Sequence, residues 1–252
     1  MPEALPPGIS IASFSEGYRK YFEVVPATTH DLKWHNFHLR HEVYAEELGW
    51  EPRRPDGIAT DDYDRHSLHC LVRAVATHAF VGGARLVLPD PEHPAAPLPF
   101  ESACGAALDR RIVDTAALDR SRIAEMSRLT VAASYRRRPG EAGQAFVIDD
   151  DFGITPRIRL PYLTLGLYLG LIALARTRGI AMLFMLAEPQ LVRSIAHVGI
   201  DTVPIGGAID HHGERFPSMI DVGAVVVGLA PYIRPFFDTI AGDIERALYS
   251  PA

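Results

Sequence analysis

A chain of 252 residues with 48% apolar and 22% charged side chains can bury a substantial core and lacks the composition of a disordered segment. Its net charge of −6 argues against general nucleic-acid binding. Lys20 and Lys33 are its only lysines, a usage that reflects genomic base composition or favours bidentate contacts to carboxylate or phosphate where arginines cluster.

Cys70 and Cys104 stand apart without metal or disulfide spacing, as suits a reducing cytoplasm. Met1 to Ser10 shows no basic region followed by an apolar run. The longest apolar stretch, Leu160 to Ala175, contains Pro161, is closed by Arg176 and Arg178, and falls short of the roughly 20 residues a spanning helix needs. A cytoplasmic enzyme without a transmembrane segment is therefore expected.

In chain order, residues 1–17 are rich in Pro, Ser and Gly and read as a flexible lead-in to one domain over 18–252. Tyr18 to Pro26 reads as a strand, and Thr28 or Thr29 as the cap of a helix running to about Leu48 and stopped by Gly49. Residues 51–66 mix Pro and Gly with acidic residues and form a loop. Ser67 to Ala76 and Ala79 to Leu88 read as paired strands, and proline-rich Pro89 to Pro99 as irregular. Arg122 to Ala132 is a strand, residues 133–156 a long loop, and Arg157 to Arg178 a helix. Strands at Ala181 to Ala187, Thr202 to Ile205 and Met219 to Leu229 follow, with helices at Pro189 to His197 and Tyr232 to Tyr249. Mixed strands and helices of this kind predict an α/β or α+β sandwich with a mostly antiparallel sheet flanked by helices.

Eight polar and aromatic residues stand out along this frame. Arg40 and Tyr44 lie on the first long helix, with Trp50 just beyond it. Asp61 and Asp64 occupy the acidic loop, Arg85 the second paired strand, and Glu125 and Arg128 the strand after the prolines. In this order and spacing they resemble the acyl-homoserine lactone synthases and the related N-acyl amino acid synthases, both in the GCN5-related N-acyltransferase superfamily. A closer likeness, to acyltransferases associated with bacterial exosortase systems, is carried by Ser127-Arg128-Leu129, Tyr135-Arg136-Arg137-Arg138, Glu188-Pro189-Gln190-Leu191, Pro204-Ile205-Gly206-Gly207 and His212-Gly213-Glu214-Arg215-Phe216-Pro217.

The resemblance implies the GCN5-related fold and amide formation from an acyl thioester. That chemistry needs a held acceptor, a proton acceptor, a polarised carbonyl and an apolar slot for the chain. Glu125 is the expected general base, because burial in a strand would raise its pKa towards a useful range. Arg128 is grouped with it in the catalytic centre. Arg40, Asp61, Asp64, Arg85 and Arg128 are expected to order the loop after the first helix and hold a zwitterionic amino acid acceptor, while Tyr44 and Trp50 wall it, cover the acyl entrance or serve as core aromatics.

Glu125 and Arg128 are three apart and would face opposite ways in a regular strand, so a β-bulge between them is expected, as the superfamily has in its fourth strand. The acyl slot is placed between this strand and Met182–Leu186, floored by Leu163 to Ala175. Gly166 and Gly170 either open room for the chain or permit close packing.

A Gly-rich coenzyme A loop is missing. The donor is therefore expected to be an acyl carrier protein rather than coenzyme A, with Arg136 to Arg138 either a docking patch for that acidic partner or a solvated run. No separate cofactor is called for. His35, His38, His41 and the His211-His212 pair lack a converging carboxylate, so no metal is expected. Oligomeric state is not set by the sequence. Two alternatives stay open: an acyl-homoserine lactone synthase using S-adenosylmethionine, and a non-catalytic acyl-binding module.

Overall fold

The computed structural model describes residues 11–136 and 162–249. Outside them lie the first ten residues of the lead-in, most of the 133–156 loop with Arg137 and Arg138, and the start of the helix expected from Arg157.

The chain opens with helix α1 (Ile11–Tyr21), so the first strand, β1 (Phe22–Pro26), starts four residues later than Tyr18. Thr29 caps α2 (His30–Arg40), its hydroxyl accepting from Leu32 N at 3.2 Å. Without a break α2 widens into a π-helical stretch, His41–Glu47, and Gly49 ends it with φ +66°. Strands β2 (Ser67–Ala74) and β3 (Phe80–Val87) form the expected pair. After the proline-rich loop, Pro99 opens the short helix α3 (Pro99–Cys104), followed by β4 (Ile123–Val131) and α4 (Ala133–Arg136).

Helix α5 (Tyr162–Thr177) leads to β5 (Met182–Ala187) and α6 (Pro189–Ala196). Three strands follow: β6 (Val203–Pro204), β7 (Ile209–Asp210) and β8 (Glu214–Asp221). Helices α7 (Val222–Gly228) and α8 (Arg234–Tyr249) close the chain. The Val-rich run expected as a strand from Met219 to Leu229 thus divides at Asp221. Its carboxylate accepts from Ala224 N at 2.8 Å and starts a helix despite the β-branched residues beyond.

The sheet runs β1-β2-β3-β4-β5-β8-β6, with β7 added to β8. Every pairing is antiparallel except β4 with β5, which α5 connects as a crossover. It is the α/β sandwich expected, with helices on both faces. Helix α2 packs on β2, β3 and β4. Helix α5 packs against β1 to β4 and is covered by α8, so Leu165 to Ala175 is buried all round. A Cβ on Gly166 would lie 2.3 Å from Tyr18 Oη, and one on Gly170 2.6 Å from Cys70 Sγ. These glycines therefore serve close packing of α5 on α1, β1 and β2 and open no room for a chain.

Two features of β4 shape the centre of the sheet. It pairs with β5 only over Ile123–Glu125, so the two strands part beyond Glu125 and split the sheet. Between the pairs Gly83–Thr130 and Arg85–Ser127, β3 supplies Ala84 alone while β4 supplies Arg128 and Leu129. A bulge is thus present in β4, but at Arg128–Leu129 and not between Glu125 and Arg128 as expected, and Arg128 sits in it with φ +55°.

Candidate active site

Where β4 and β5 part lies a cavity of about 810 Å³. Alternate β4 side chains line it from both faces of the split: Glu125 and Ser127 on one, Met126 on the other. Its walls are charged near β3 and the loop after α2 (Glu51, Asp61, Arg85, Arg128). They are apolar towards α5 and β5 (Leu163, Leu171, Met185, Leu186). The cavity lies between the two strands, at the place expected for the acyl slot, with Met185 in its wall, whereas Met182 packs against a second apolar cluster.

The charged residues converge. The turn beginning at Asp61 folds by a reciprocal cap: Asp61 Oδ1 accepts from Tyr63 N at 3.0 Å and Asp64 Oδ2 from Asp61 N at 2.9 Å. Arg40, 1% exposed, grips Asp64 with both terminal nitrogens at 2.9 Å. Arg85 Nη1 reaches Asp64 at 3.0 Å and also pairs with Asp61, while its Nε donates to Ser127 Oγ at 3.3 Å. Burial alone would raise the Asp64 carboxyl, but the Arg40 and Arg85 guanidinia outweigh it and hold Asp64 well below the usual range.

Behind Arg40, His69 Nδ1 accepts from Arg40 Nη2 at 3.3 Å and from Asn36 Nδ2 at 3.0 Å, which assigns the ring proton to Nε2. Burial and then Arg40 push His69 down to about 3, so it stays neutral. Arg40 and Asp64 do not line the cavity. They are the buried base on which Asp61 and Arg85, which do line it, are set.

The bulge turns Arg128 towards the same cluster. Its Nη2 reaches Asp61 Oδ2 at 3.0 Å, its Nη1 pairs with Glu51, and about a third of the side chain remains exposed. Tyr44 lies alongside: its hydroxyl donates to Leu129 O at 2.9 Å, pinning the bulge, and Arg128 stands 5.6 Å from its ring centre. The π-helical stretch supplies this Tyr44, and Trp50 N and Glu51 N both fold back onto its carbonyl at 2.8 and 3.1 Å.

Glu125 faces the cavity between its cross-strand neighbours Val87 and Phe184, and Phe100 stacks on Phe184 at 4.5 Å. Only 3% of it is exposed, and Phe100 N donates to its Oε2 at 2.7 Å. Burial pushes its carboxyl up to about 8, against the smaller opposing effects of that bond and of Arg85. The arrangement therefore offers a proton acceptor beside a guanidinium-lined polar pocket, continuous with an apolar chamber. Past Glu125 the β5-facing edge of β4 has no strand partner among the described residues.

The rim is aromatic. Trp50 stacks between Tyr44, at 5.8 Å and 16°, and His212, at 4.5 Å and 8°. Other motif residues also border the cavity: Tyr135 and Arg136, Glu188, Gln190 and Leu191, and His212 and Arg215. Arg136 is paired with Glu47. Ser127, part of the Ser127-Arg128-Leu129 motif, lines the site as well, and Glu51 and Tyr63 complete it without having stood out in the sequence. Only their position next to Trp50 and Asp64 could have flagged those two. Among the described residues, no three His, Cys, Asp or Glu side chains are grouped to hold a metal, and no helix is long and apolar enough to cross a membrane.

Residues 39–144 match the model of the acetyltransferase (GNAT) domain family. Among solved structures the chain is similar to the AHL synthase LasI, at 17% identity and a TM-score of 0.57 over 83% of this chain and 96% of that one. It is also similar to BjaI, a CoA-dependent acyl-homoserine lactone synthase solved with SAM and isopentyl-CoA, at 20% identity and a TM-score of 0.56 over 87% and 89%. FeeM, an N-acyl amino acid synthase from uncultured soil microbes, aligns at 11% identity and a TM-score of 0.50 over 82% and 94%. At these identities the likeness concerns the fold. No match is found among curated proteins.

Proposed function

We propose that this chain, whose residues 39–144 match the acetyltransferase (GNAT) domain family, transfers a long fatty acyl group from a carrier-protein thioester to the amino group of an amino acid. One observation carries the reading: a buried carboxylate with a raised pKa, Glu125, lies where a guanidinium pocket meets an apolar chamber in the split between β4 and β5.

In this reading Arg128, partly exposed and turned inward by the bulge, binds the acceptor carboxylate, with Arg85 beside it. Arg40 and Asp64 hold Arg85 and Asp61 in place. Glu125 in its ionised form takes a proton from the acceptor ammonium, directly or through a water. The freed amine adds to the thioester carbonyl, whose oxygen is stabilised by backbone N–H groups on the open edge of β4. Collapse of the tetrahedral intermediate breaks the C–S bond, the thiolate takes up a proton, and the amide is released. The alkyl chain occupies the Leu163, Leu171 and Met185 side of the cavity.

The narrower kinship with exosortase-associated acyltransferases belongs to the same proposal, supported by the cavity-bordering residues of four of the five shared motifs, the Pro204–Gly207 motif lying away from the cavity. The fold shared with BjaI, solved with SAM, raises a second reading, in which S-adenosylmethionine is the acceptor. Purified protein given palmitoyl carrier protein or palmitoyl-CoA, with amino acids or S-adenosylmethionine, separates these cases by thiol release. Release that needs an amino acid and prefers the carrier protein supports the proposal. Release only with S-adenosylmethionine selects the lactone synthase, and none with any pair removes both.

A further inference from the structure

His212 has no part in the charged cluster, yet its ring is held in a defined place. It sits at the tip between β7 and β8 with φ +54°, a conformation few non-glycine residues adopt. The tip is fastened on both sides: Gly213 N donates to Asp210 Oδ1 at 3.2 Å, and His211 N to Gly213 O at 2.9 Å. Arg215 pairs with Glu188 at the start of α6 and donates to the His212 carbonyl at 3.4 Å. So anchored, the imidazole lies parallel to the Trp50 indole, 4.5 Å away.

The two rings come from opposite halves of the split sheet. Trp50 follows α2, which packs on β2 to β4, whereas the β7–β8 tip belongs to the β5–β8–β6 half. Both rings line the cavity, and Trp50 continues through Tyr44 to the bulge that carries Arg128.

We propose that His212 is a positioning residue that bridges the two halves of the sheet and, with Trp50, walls the acceptor end of the cavity against water. The consequence rests on the acyl-transfer reading. A bound thioester open to water would lose its acyl group to hydrolysis: the water oxygen adds to the carbonyl, the C–S bond breaks, and the thiol leaves with a proton as free fatty acid forms. Trp50 stays 39% exposed, and a flat ring at position 212 shields one face of its indole, which a methyl group cannot do. Aromatic shape is the property required, so phenylalanine should substitute for histidine.

The test uses the full chain carrying Trp34→Phe, which leaves Trp50 as its single tryptophan; Trp34 lies on the outer side of α2, stacked on His38. Into this background go His212→Ala and His212→Phe. Acrylamide quenching of Trp50 emission reports the bridge without any reaction. The ratio of free palmitate to acyl amide formed from palmitoyl carrier protein, at limiting amino acid, reports the wall.

Quenching is expected to rise in His212→Ala and to stay at the parent level in His212→Phe. The ratio should rise about three- to tenfold in the alanine variant, the range a lost ring contact gives, with the phenylalanine variant again like the parent. Equal quenching in the parent and His212→Ala would overturn the bridge. A ratio that does not move, or that rises equally in both variants, would overturn the wall. Quenching as expected with no amide from the parent would count against the acyl-transfer reading and leave the bridge supported.

Discussion

Replacing Glu125 by glutamine isolates what burial does to the carboxyl. The amide keeps the shape, and its oxygen can still accept from Phe100 N, now 2.7 Å from Oε2, but it cannot titrate. The ordinary value for this group is 4.5, and in the folded chain burial raises it to about 8. Below pH 4.5 both the folded and the unfolded chain hold the proton. Between the two values the unfolded chain gives up a proton that the folded chain keeps, so wild-type stability declines as pH rises. The decline approaches about 1.4 kcal/mol per pH unit and reaches up to about 4 kcal/mol by pH 8. Glu125→Gln escapes this loss, and every other titrating group is common to both proteins.

Urea unfolding of the two proteins at pH 5, 6, 7 and 8 should therefore show a gap that widens with pH in favour of the inactive variant. For the active enzyme, kcat/KM should rise with pH and level off above about 8 as Glu125 ionises. A gap that stays constant with pH, or a glutamine variant less stable at pH 8, would mean that the carboxyl is already ionised in the fold. The reasoning that makes it a strong, desolvated base would then fail.

Arg128→Lys should raise the acceptor KM about tenfold with the donor KM unchanged, because an ammonium cannot reproduce a forked contact to a carboxylate. Steady-state kinetics in which neither KM moves would remove Arg128 from acceptor binding. Gly166→Ala should destabilise the chain by about 1–3 kcal/mol, since the new Cβ would lie 2.3 Å from Tyr18 Oη. Acyl-chain preference should stay as it is, and a shift towards shorter chains would show that this face of α5 does border the acyl chamber.

The polar constellation was legible because its members are chemically unusual residues in a fixed order, and a bulge, though not its place, was legible because Glu125 and Arg128 could not otherwise share a pocket. What spacing could not separate is who touches substrate from who holds whom. Arg40 and Asp64 have the same chemistry as Arg85 and Asp61 but lie beneath them, and only packing of α2 on β3 decides this. The π-helical widening after Arg40 left no mark, since Arg40 and Tyr44 satisfy an ordinary helical spacing equally well. Val222 to Val227 misled through β-branched propensity that a single cap at Asp221 overrides. Gly166 and Gly170 face Tyr18 of α1 and strands β1 and β2, a direction that periodicity in a helix buried all round cannot assign. The His212–Trp50 stack joins residues far apart in sequence, so no local pattern announces it.

Mass spectrometry of lipid extracts from a bacterial host expressing the intact chain or its Glu125→Ala variant tests acyl transfer to an amino acid most directly. The expected result is a new N-acyl amino acid that accumulates with the intact chain and is lost with the variant, its mass identifying chain length and acceptor together. An N-acyl-homoserine lactone in its place would contradict the proposed acceptor, and the same acyl amino acid from both proteins would contradict the role of Glu125.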